Sequence, residues 1–307
     1  MQDWATRLAQ HLPELEISVA ADETAAAVAL SSADAGYGWV PPHLLSAASH
    51  LRLLQSPYAG PFAGFYYPQL IEHPLTVCNV RGIYSDHIAQ HIAMYMLALA
   101  RDLPSYLAAQ REGRWDTAAR QSPYLDLSQA TVLIVGLGGI GAETARICQV
   151  FGCEVLAVES RLEQAVDVPV HAPDELLDLL GRADFVISTL PHTPATEMMW
   201  NTHTFAAMRP GARFINIGRG MTTRLADLVA ALESGHLAGA ALDVFEIEPL
   251  PAEHALWRMP NVIITPHVAI ADADNITERR FEILLENVRR FVANEPLLNV
   301  VDKALWY

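Results

Sequence analysis

The sequence is short of cysteine, short of charge and without a long apolar run, and each shortage excludes a class of protein. Three cysteines in 307 residues, Cys78, Cys148 and Cys153, are too few and too irregular for a disulfide framework or a zinc site. They fit a reducing compartment, and no bound metal is expected. The longest apolar stretch, Ile92 to Ala100, is far too short to span a bilayer. Met1 to Gln10 carries Asp3 and Arg7 and lacks the apolar centre of a secretory signal. Charged residues make up 18% against 51% hydrophobic, which excludes a disordered chain. Basic residues number 20 against 35 acidic, a net charge of −15. With no basic cluster in view, that field repels a phosphate backbone, so neither nucleic acid nor membrane is an expected partner. What remains is an acidic, cytoplasmic protein, and at roughly 150 residues per domain the length suggests two domains.

The grain of the chain changes near residue 120. Before it, Glu16–Ala20, Val28–Leu30, Leu51–Gln55 and Leu75–Asn79 read as strands and Pro41–Ser49 as a helix, with proline where a first turn tolerates it. One long amphipathic helix is expected over about Asp86 to Glu112, closed by Gly113 and the turn-rich Gln121–Pro123. From residue 131, short β-branched runs alternate with helical patterns. The strands are Thr131–Val135, Glu154–Val158, Phe185–Thr189, Arg213–Ile217, Ala240–Val244 and Val262–Thr265. The helices are Ile140–Val150, Asp174–Leu180, Thr202–Met208 and Arg224–Ser234, and Asn275–Asn294 closes the chain as a further amphipathic helix. Strands spaced by crossovers pair in parallel, and six of them match a doubly wound α/β sheet of the Rossmann type.

Gly136-Leu137-Gly138-Gly139-Ile140-Gly141 places G-x-G-x-x-G directly after a strand and before a helix, the context in which it binds a dinucleotide. Gly136 allows the tight turn, Gly138 lets backbone approach a pyrophosphate, and Gly141 lets helix and strand pack closely. The N–H groups at the helix start, Gly139 and Ile140 among them, face the phosphates. Glu159 ends the second strand, where an acid accepts hydrogen bonds from the ribose hydroxyls. Ser160-Arg161 follows, and an arginine there suits a 2′-phosphate. Repulsion between Glu159 and that phosphate favours NAD, with NADP the alternative.

Three further strand ends carry polar residues at the edge where open α/β sheets bind ligands. They are Arg219 in Asn216-Ile217-Gly218-Arg219-Gly220, Glu248 in the segment from Asp243 to Pro249, and His267 in Thr265-Pro266-His267. Singly, each has a bland reading: a solvated turn arginine, a surface acid, one of 12 histidines. Together they fall on the cofactor edge, where surface residues have no reason to gather. Arg219 can grip a carboxylate bidentately and His267 can exchange a proton near neutrality. Glu248 can orient that imidazole and favour its charged form.

These stretches resemble the D-2-hydroxyacid dehydrogenases, and within them the short glyoxylate/hydroxypyruvate reductases. The matching residues are GLGGIG at 136–141, LPHTPAT at 190–196, NIGRG at 216–220, LDVFEIEPLP at 242–251, TPHVA at 265–269 and the tail NVVDKALWY at 299–307. The resemblance covers roughly residue 40 to the end and is sharpest from 131 to 267. It implies a Rossmann domain and a smaller flavodoxin-like α/β domain. It also implies Arg219 as the substrate anchor and His267 as the acid/base paired with Glu248. Asp243 would lie beside the nicotinamide carboxamide. Leu190, Pro191, Thr193, Pro194, Ile217 and Gly218 would lie along the cofactor. Backbone at Tyr58, Ala59 and Gly60 would hold the substrate carboxylate.

The chain departs from the family pattern where Ala59-Gly60-Pro61-Phe62 replaces Ala-Gly-Val-Asp, and Pro61 has no N–H to give. A second departure is Gln90 in Ala89-Gln90-His91, where the family has glutamate. Both bear on substrate identity more than on reaction type.

The implied reaction is reduction of a small anionic 2-oxo acid, glyoxylate- or hydroxypyruvate-like, to the D-2-hydroxy acid. The resemblance also implies a homodimer, with Trp115 either near the second subunit or a core aromatic. A nicotinamide-sensing corepressor on the same fold is the alternative. A metal-dependent hydrolase is disfavoured, because His43, His50, His73, His87 and His91 lack H-E-x-x-H. At this length, the regulatory domain that many phosphoglycerate dehydrogenases carry is not expected. The domains are expected at 1–92 plus 271–307 for substrate and 93–270 for dinucleotide, with a closing cleft between them.

Overall fold

The computed structural model describes residues 2–60, 62, 64–160, 166–271, 273 and 275–306. The chain divides into two units, Met1–Ile83 with Ala273–Tyr307, and Tyr84–Asp272. The crossing expected at residue 93 falls inside a single helix, Ser85–Ala100, that belongs as a whole to the second unit. No helix among the described residues is long and apolar enough to cross a membrane.

The first unit carries a parallel sheet of three short strands, β1 (Ala35–Tyr37), β2 (Leu53–Gln55) and β3 (Thr76–Cys78), in that order. Two of its expected strands are not strands. Val28–Leu30 ends a helix, Glu23–Leu30, because Asp22 caps it by accepting from Ala25 N–H at 2.8 Å and alanines fill its middle. One β-branched residue, Val28, does not outweigh that. Glu16–Ala20 is irregular, and the missed strand β1 contains a glycine and only three residues. Val40, Leu54, Phe65, Leu70 and Val77 form its core. A second cluster joins Leu8 and Leu12 of the helix Gln2–His11 to Phe281, Leu284 and Leu285 of the closing helix Ile276–Ala293.

The second unit begins with the helix Ser85–Ala100, which does not run on to Glu112 as expected. Asp102 breaks it with left-handed backbone, φ 50° and ψ 45°, and a separate helix, Leu103–Arg111, follows. The buried Asp102 carboxylate makes that break tenable by accepting from the Ser105 hydroxyl and from the N–H groups of Gln121 and Ser122.

Seven parallel strands follow. They are β4 (Thr131–Val135), β5 (Glu154–Val158), β6 (Val170–His171), β7 (Phe185–Ser188), β8 (Arg213–Asn216), β9 (Gly239–Leu242) and β10 (Val262–Ile264). Their order is β10-β9-β8-β7-β4-β5-β6, so the chain reverses direction between β4 and β7. The two-residue β6 is too short to show a period. Alternation assigns the two faces. Leu133, Val135, Val186, Phe214 and Leu242 pack on one side, and Val132, Ile134, Phe185, Ile187, Ile215 and Ala241 on the other. Both faces are covered, which is why these strands read as continuous apolar runs. Every loop leaving β4, β7, β8, β9 and β10 emerges at the same edge, the ligand-binding edge of such a sheet.

Candidate active site

The glycine loop leaves β4 at that edge beside the strand reversal. Gly136 has φ +98°, and the helix Gly139–Val150 begins with Gly138 as its cap. A Cβ on Gly141 would lie 2.1 Å from the Gly136 carbonyl oxygen, so only glycine permits this strand–helix approach. A Cβ on Gly138 would meet nothing within 4 Å, which leaves its outer face open. The first N–H groups of the helix, at Gly139, Ile140 and Gly141, have no partner within it. An open cradle beside free helix N–H groups suits the pyrophosphate of a nicotinamide dinucleotide.

Glu159 is where the sequence placed it, at the end of β5, but its carboxylate is engaged locally. It accepts from Leu137 N–H at 2.7 Å, from Ser160 N–H at 2.8 Å and from the Ser160 hydroxyl at 3.0 Å. It therefore also pins the glycine loop. Arg161 and Pro61 lie outside the described residues.

Beyond β7, Thr196 folds the loop of Leu190, Pro191, Thr193 and Pro194. Its hydroxyl donates to Pro191 O at 2.7 Å and accepts from Thr193 N–H at 2.9 Å. Leu190 sits hard against the next loop, since a Cβ on Gly218 would come within 2.4 Å of the Leu190 carbonyl oxygen. Asn216, fully buried at the end of β8, shapes that next loop. Its side chain accepts from Gly218 N–H at 3.0 Å and donates to the Arg219 carbonyl at 3.2 Å and the Thr223 hydroxyl at 2.9 Å. Ile217 is buried and Arg219 half-buried. The Arg219 guanidinium donates to Gly218 O at 2.7 Å. Burial lowers its pKa and the charge of Glu248 opposes this, followed by Tyr84. An arginine stays charged under such a shift.

Gly220 brings two loops together. A Cβ there would fall 1.8 Å from the Phe245 carbonyl oxygen, so the Arg219 loop lies directly on the segment after β9. That segment carries Glu248, whose Oε1 accepts from Phe245 N–H at 2.9 Å and whose Oε2 meets His267 Nδ1 at 2.8 Å. The Nδ1–H donates to the carboxylate, leaving Nε2 as the atom that exchanges a proton outward. His267 and Glu248 are both exposed, and His267 has φ +55°, a backbone conformation uncommon outside glycine. The structure thus brings Arg219, Glu248 and His267 together on one edge.

Asp243, expected beside the cofactor, is 1% exposed, and both its oxygens serve the turn that carries His267. Oδ1 accepts from Val268 N–H at 2.9 Å and from the Thr265 hydroxyl, and Oδ2 from Ala269 N–H at 3.1 Å. Thr265, Asn216, His91 and Tyr95 are the participants that the sequence reading gave no role. Thr265 and Asn216 stand inside quoted motifs, so a signal existed. Tyr95 reads only as a core aromatic on a helix.

In the first unit, Tyr58, Ala59 and Gly60 follow β2. The Ser56 hydroxyl accepts from Tyr58 N–H at 3.2 Å, and Asn79, after β3, donates to the Ala59 carbonyl at 3.1 Å.

Residues 93–269 match the family described as D-isomer specific 2-hydroxyacid dehydrogenase, NAD binding domain. The chain is 30% identical to the glyoxylate/hydroxypyruvate reductase A of Serratia proteamaculans, across 100% of this chain and 96% of that protein. Among solved structures, a D-isomer specific 2-hydroxyacid dehydrogenase from Xanthobacter autotrophicus, in complex with NADPH and MES, is 33% identical. It aligns with a TM-score of 0.83 over 100% of this chain and 96% of that one. An NADPH-dependent glyoxylate/hydroxypyruvate reductase from Sinorhizobium meliloti, in complex with NADP and sulfate, is 30% identical. Its TM-score is also 0.83, over 100% of this chain and 97% of that one. With its glycine loop, its Glu248–His267 pair and these matches, the chain belongs to the D-isomer specific 2-hydroxyacid dehydrogenases.

Proposed function

We propose that this protein is a nicotinamide-dependent oxidoreductase that reduces a small 2-oxo acid of the glyoxylate or hydroxypyruvate class to the D-2-hydroxy acid. The observation that carries the reading is the Nδ1–carboxylate contact of His267 with Glu248 at 2.8 Å, on the loop that Gly220 packs against Arg219. Arg219 anchors the substrate carboxylate and draws electron density from the carbonyl. His267, protonated and oriented by Glu248, gives its Nε2 proton to the oxygen as negative charge develops there; such an acid contributes about 10²–10⁴-fold. When bound, the reduced nicotinamide supplies the hydride that the carbonyl carbon receives. Tyr58, Ala59 and Gly60 offer backbone to the substrate, with Asn79 holding the Ala59 carbonyl. The relatives carry reductase and dehydrogenase names, and nothing in them supports the corepressor alternative.

Glu159, at the ribose end of the glycine loop, supports NAD through repulsion of a 2′-phosphate. The NADPH and NADP bound by the two structural relatives favour NADP as a second reading. In that reading Glu159 remains on Leu137 N–H, turned to the loop rather than to the ribose. Leu190, Pro191, Thr193, Pro194, Ile217 and Gly218 line the cofactor in either case. Three free, buried cysteines suit a cytoplasmic setting. Trp115, 98% exposed beyond the helix Leu103–Arg111, supports a homodimer contact.

The test is steady-state kinetics on a panel of glyoxylate, hydroxypyruvate, pyruvate and bulkier 2-oxo acids, each with NADH and NADPH. His267→Ala and Arg219→Ala are measured alongside at saturating cofactor. We expect kcat/KM to fall by about 10²–10⁴-fold in His267→Ala. Near-wild-type turnover in either variant overturns the assignment. The ratio of kcat/KM with the two cofactors decides between NAD and NADP.

A further inference from the structure

His267 sits on a turn held by Thr265, Asp243, His91 and Tyr95 through hydrogen bonds separate from its own bond to Glu248. Thr265 begins that turn, and its hydroxyl has one proton, which it donates to Asp243 Oδ1. With that proton committed, Thr265 Oγ1 is an acceptor toward its other two neighbours. Tyr95 O–H donates to it, and so does His91 Nε2–H at 3.1 Å. Both neighbours stand on the helix Ser85–Ala100, one turn apart, with their rings packed edge to face at 4.6 Å. Tyr95 is fully buried and His91 largely so.

The proton count around Thr265 is complete: two donated in, one donated out. Asp243 is then filled by the Thr265 hydroxyl at Oδ1 and by Val268 and Ala269 N–H on its two oxygens. The turn is tied on both sides of His267, whose own N–H donates to Thr265 O at 3.1 Å. Left-handed backbone at a residue other than glycine persists only where its surroundings over-determine it. Burial lowers the His91 pKa, with the charge of Asp243 opposing, so the neutral Nε2–H form is the one this arrangement uses. Burial raises the Tyr95 pKa, which keeps its phenol a donor.

We propose that Tyr95 and His91 are positioning residues for the reaction, acting through the Thr265 hydroxyl and Asp243 to set where the His267 imidazole stands. This rests on the reading of His267 as the acid. The helix Ser85–Ala100 thereby does more than cover one face of the sheet: it sets the register of a catalytic turn at the far end of β10. A misplacement of about 1 Å in a catalytic group can cost about 10²-fold in rate, so loss of one anchor should appear in kcat rather than in KM.

The experiment compares Tyr95→Phe, Thr265→Val, Thr265→Ser, the double variant Tyr95→Phe/Thr265→Val and His267→Ala, with glyoxylate and hydroxypyruvate as substrates. Tyr95→Phe and Thr265→Val are expected to lower kcat by about 10- to 100-fold with KM for both substrates within about threefold. Thr265→Ser keeps the hydroxyl and should recover most of that loss. Tyr95→Phe should add nothing in the Thr265→Val background, because both remove the same link. The proposal is overturned if Tyr95→Phe and Thr265→Val keep kcat within about twofold while His267→Ala has lost it. Thr265→Ser as impaired as Thr265→Val also overturns it, as does a loss confined to KM. Full turnover in His267→Ala instead removes the reading of His267, and this proposal falls with it.

Discussion

The two units are both parallel α/β layers, yet they hold their functional loops by different means. In the sheet unit, where the Asn216 amide and the Thr196 hydroxyl also brace loops, backbone lies directly on backbone: Gly141 against Gly136 O, Gly218 against Leu190 O, Gly220 against Phe245 O. In the first unit, the loop from Ser56 to Gly60 is held by side-chain amides. Asn79 donates to Ala59 O, and Gln55 donates to Ser56 O at 3.1 Å. Gln55 in turn accepts from the fully buried Asn287 at 2.7 Å. A backbone contact demands glycine and so writes itself into the sequence as a motif. An amide contact demands only an Asn or Gln somewhere, and partners such as Gln55 and Asn287 lie too far apart in sequence to announce themselves.

The sharpest way to break this contrast is to add one methyl group in each unit. Gly220→Ala puts a carbon on the Phe245 carbonyl and should cost at least about 3 kcal/mol in urea denaturation, as overpacking against unyielding backbone does. Activity should fall too, because the Arg219 and Glu248 loops part. In the first unit, Gly36→Ala meets only Leu51 at 3.5 Å and Leu54 at 3.8 Å, ordinary contact distances. There we expect stability within about 0.5 kcal/mol of wild type or slightly above it. Equal losses in the two variants would remove the distinction.

A smaller effect should come from Asn79→Ala. It removes the bond to the Ala59 carbonyl and the one from Arg81 N–H, at about 1 kcal/mol for each lost hydrogen bond. Because that loop is proposed to meet the substrate, KM should rise several-fold with kcat nearly kept. A change in kcat alone would contradict the proposed role of the loop.

The smallest effect concerns pH, and it sharpens the comparison by finding the same device in each unit. Burial lowers the pKa of His91 in the sheet unit, and also that of His73 in the first unit, where Lys303 adds to the shift. For both, the folded value lies below the unfolded value of 6.5. Above that value both states are neutral and stability is unaffected. As pH falls through it, the unfolded chain binds protons first, so stability declines until the folded value is reached. Denaturation midpoints between neutral and mildly acidic pH should therefore drop in the wild type and drop less in His91→Gln. An unchanged slope in that variant would show that His91 is not held neutral by its burial.

Much of the sheet unit could be read in advance, for a physical reason. Strands β4, β5, β7 and β8 are covered on both faces, so their sequences are uninterrupted apolar runs, and the glycine and TPH motifs mark loops that have little conformational choice. The first unit was less legible. Its three-residue strands carry almost no period, and Ala-rich Glu23–Leu30 forms a helix where Val28–Leu30 suggested a strand. The long helix expected to reach Glu112 is broken because Asp102 finds three donors from residues up to Ser122, a partnership no local pattern reveals.

By itself, the sequence determined the chemistry on offer: an acidic protein with an arginine, a carboxylate and a histidine at the ends of parallel strands beside a dinucleotide loop. Residue type and strand period suffice for that, because both are local. Only the tertiary structure decided which atoms meet. Glu248 reaches Nδ1 of His267, Glu159 turns back to its own glycine loop, and Asp243 spends both oxygens on the turn around His267. Tyr95, some 170 residues before Thr265, supplies its hydroxyl partner. Those pairings depend on which loops the sheet order brings side by side, and strand order is a property of the packed molecule rather than of any one segment.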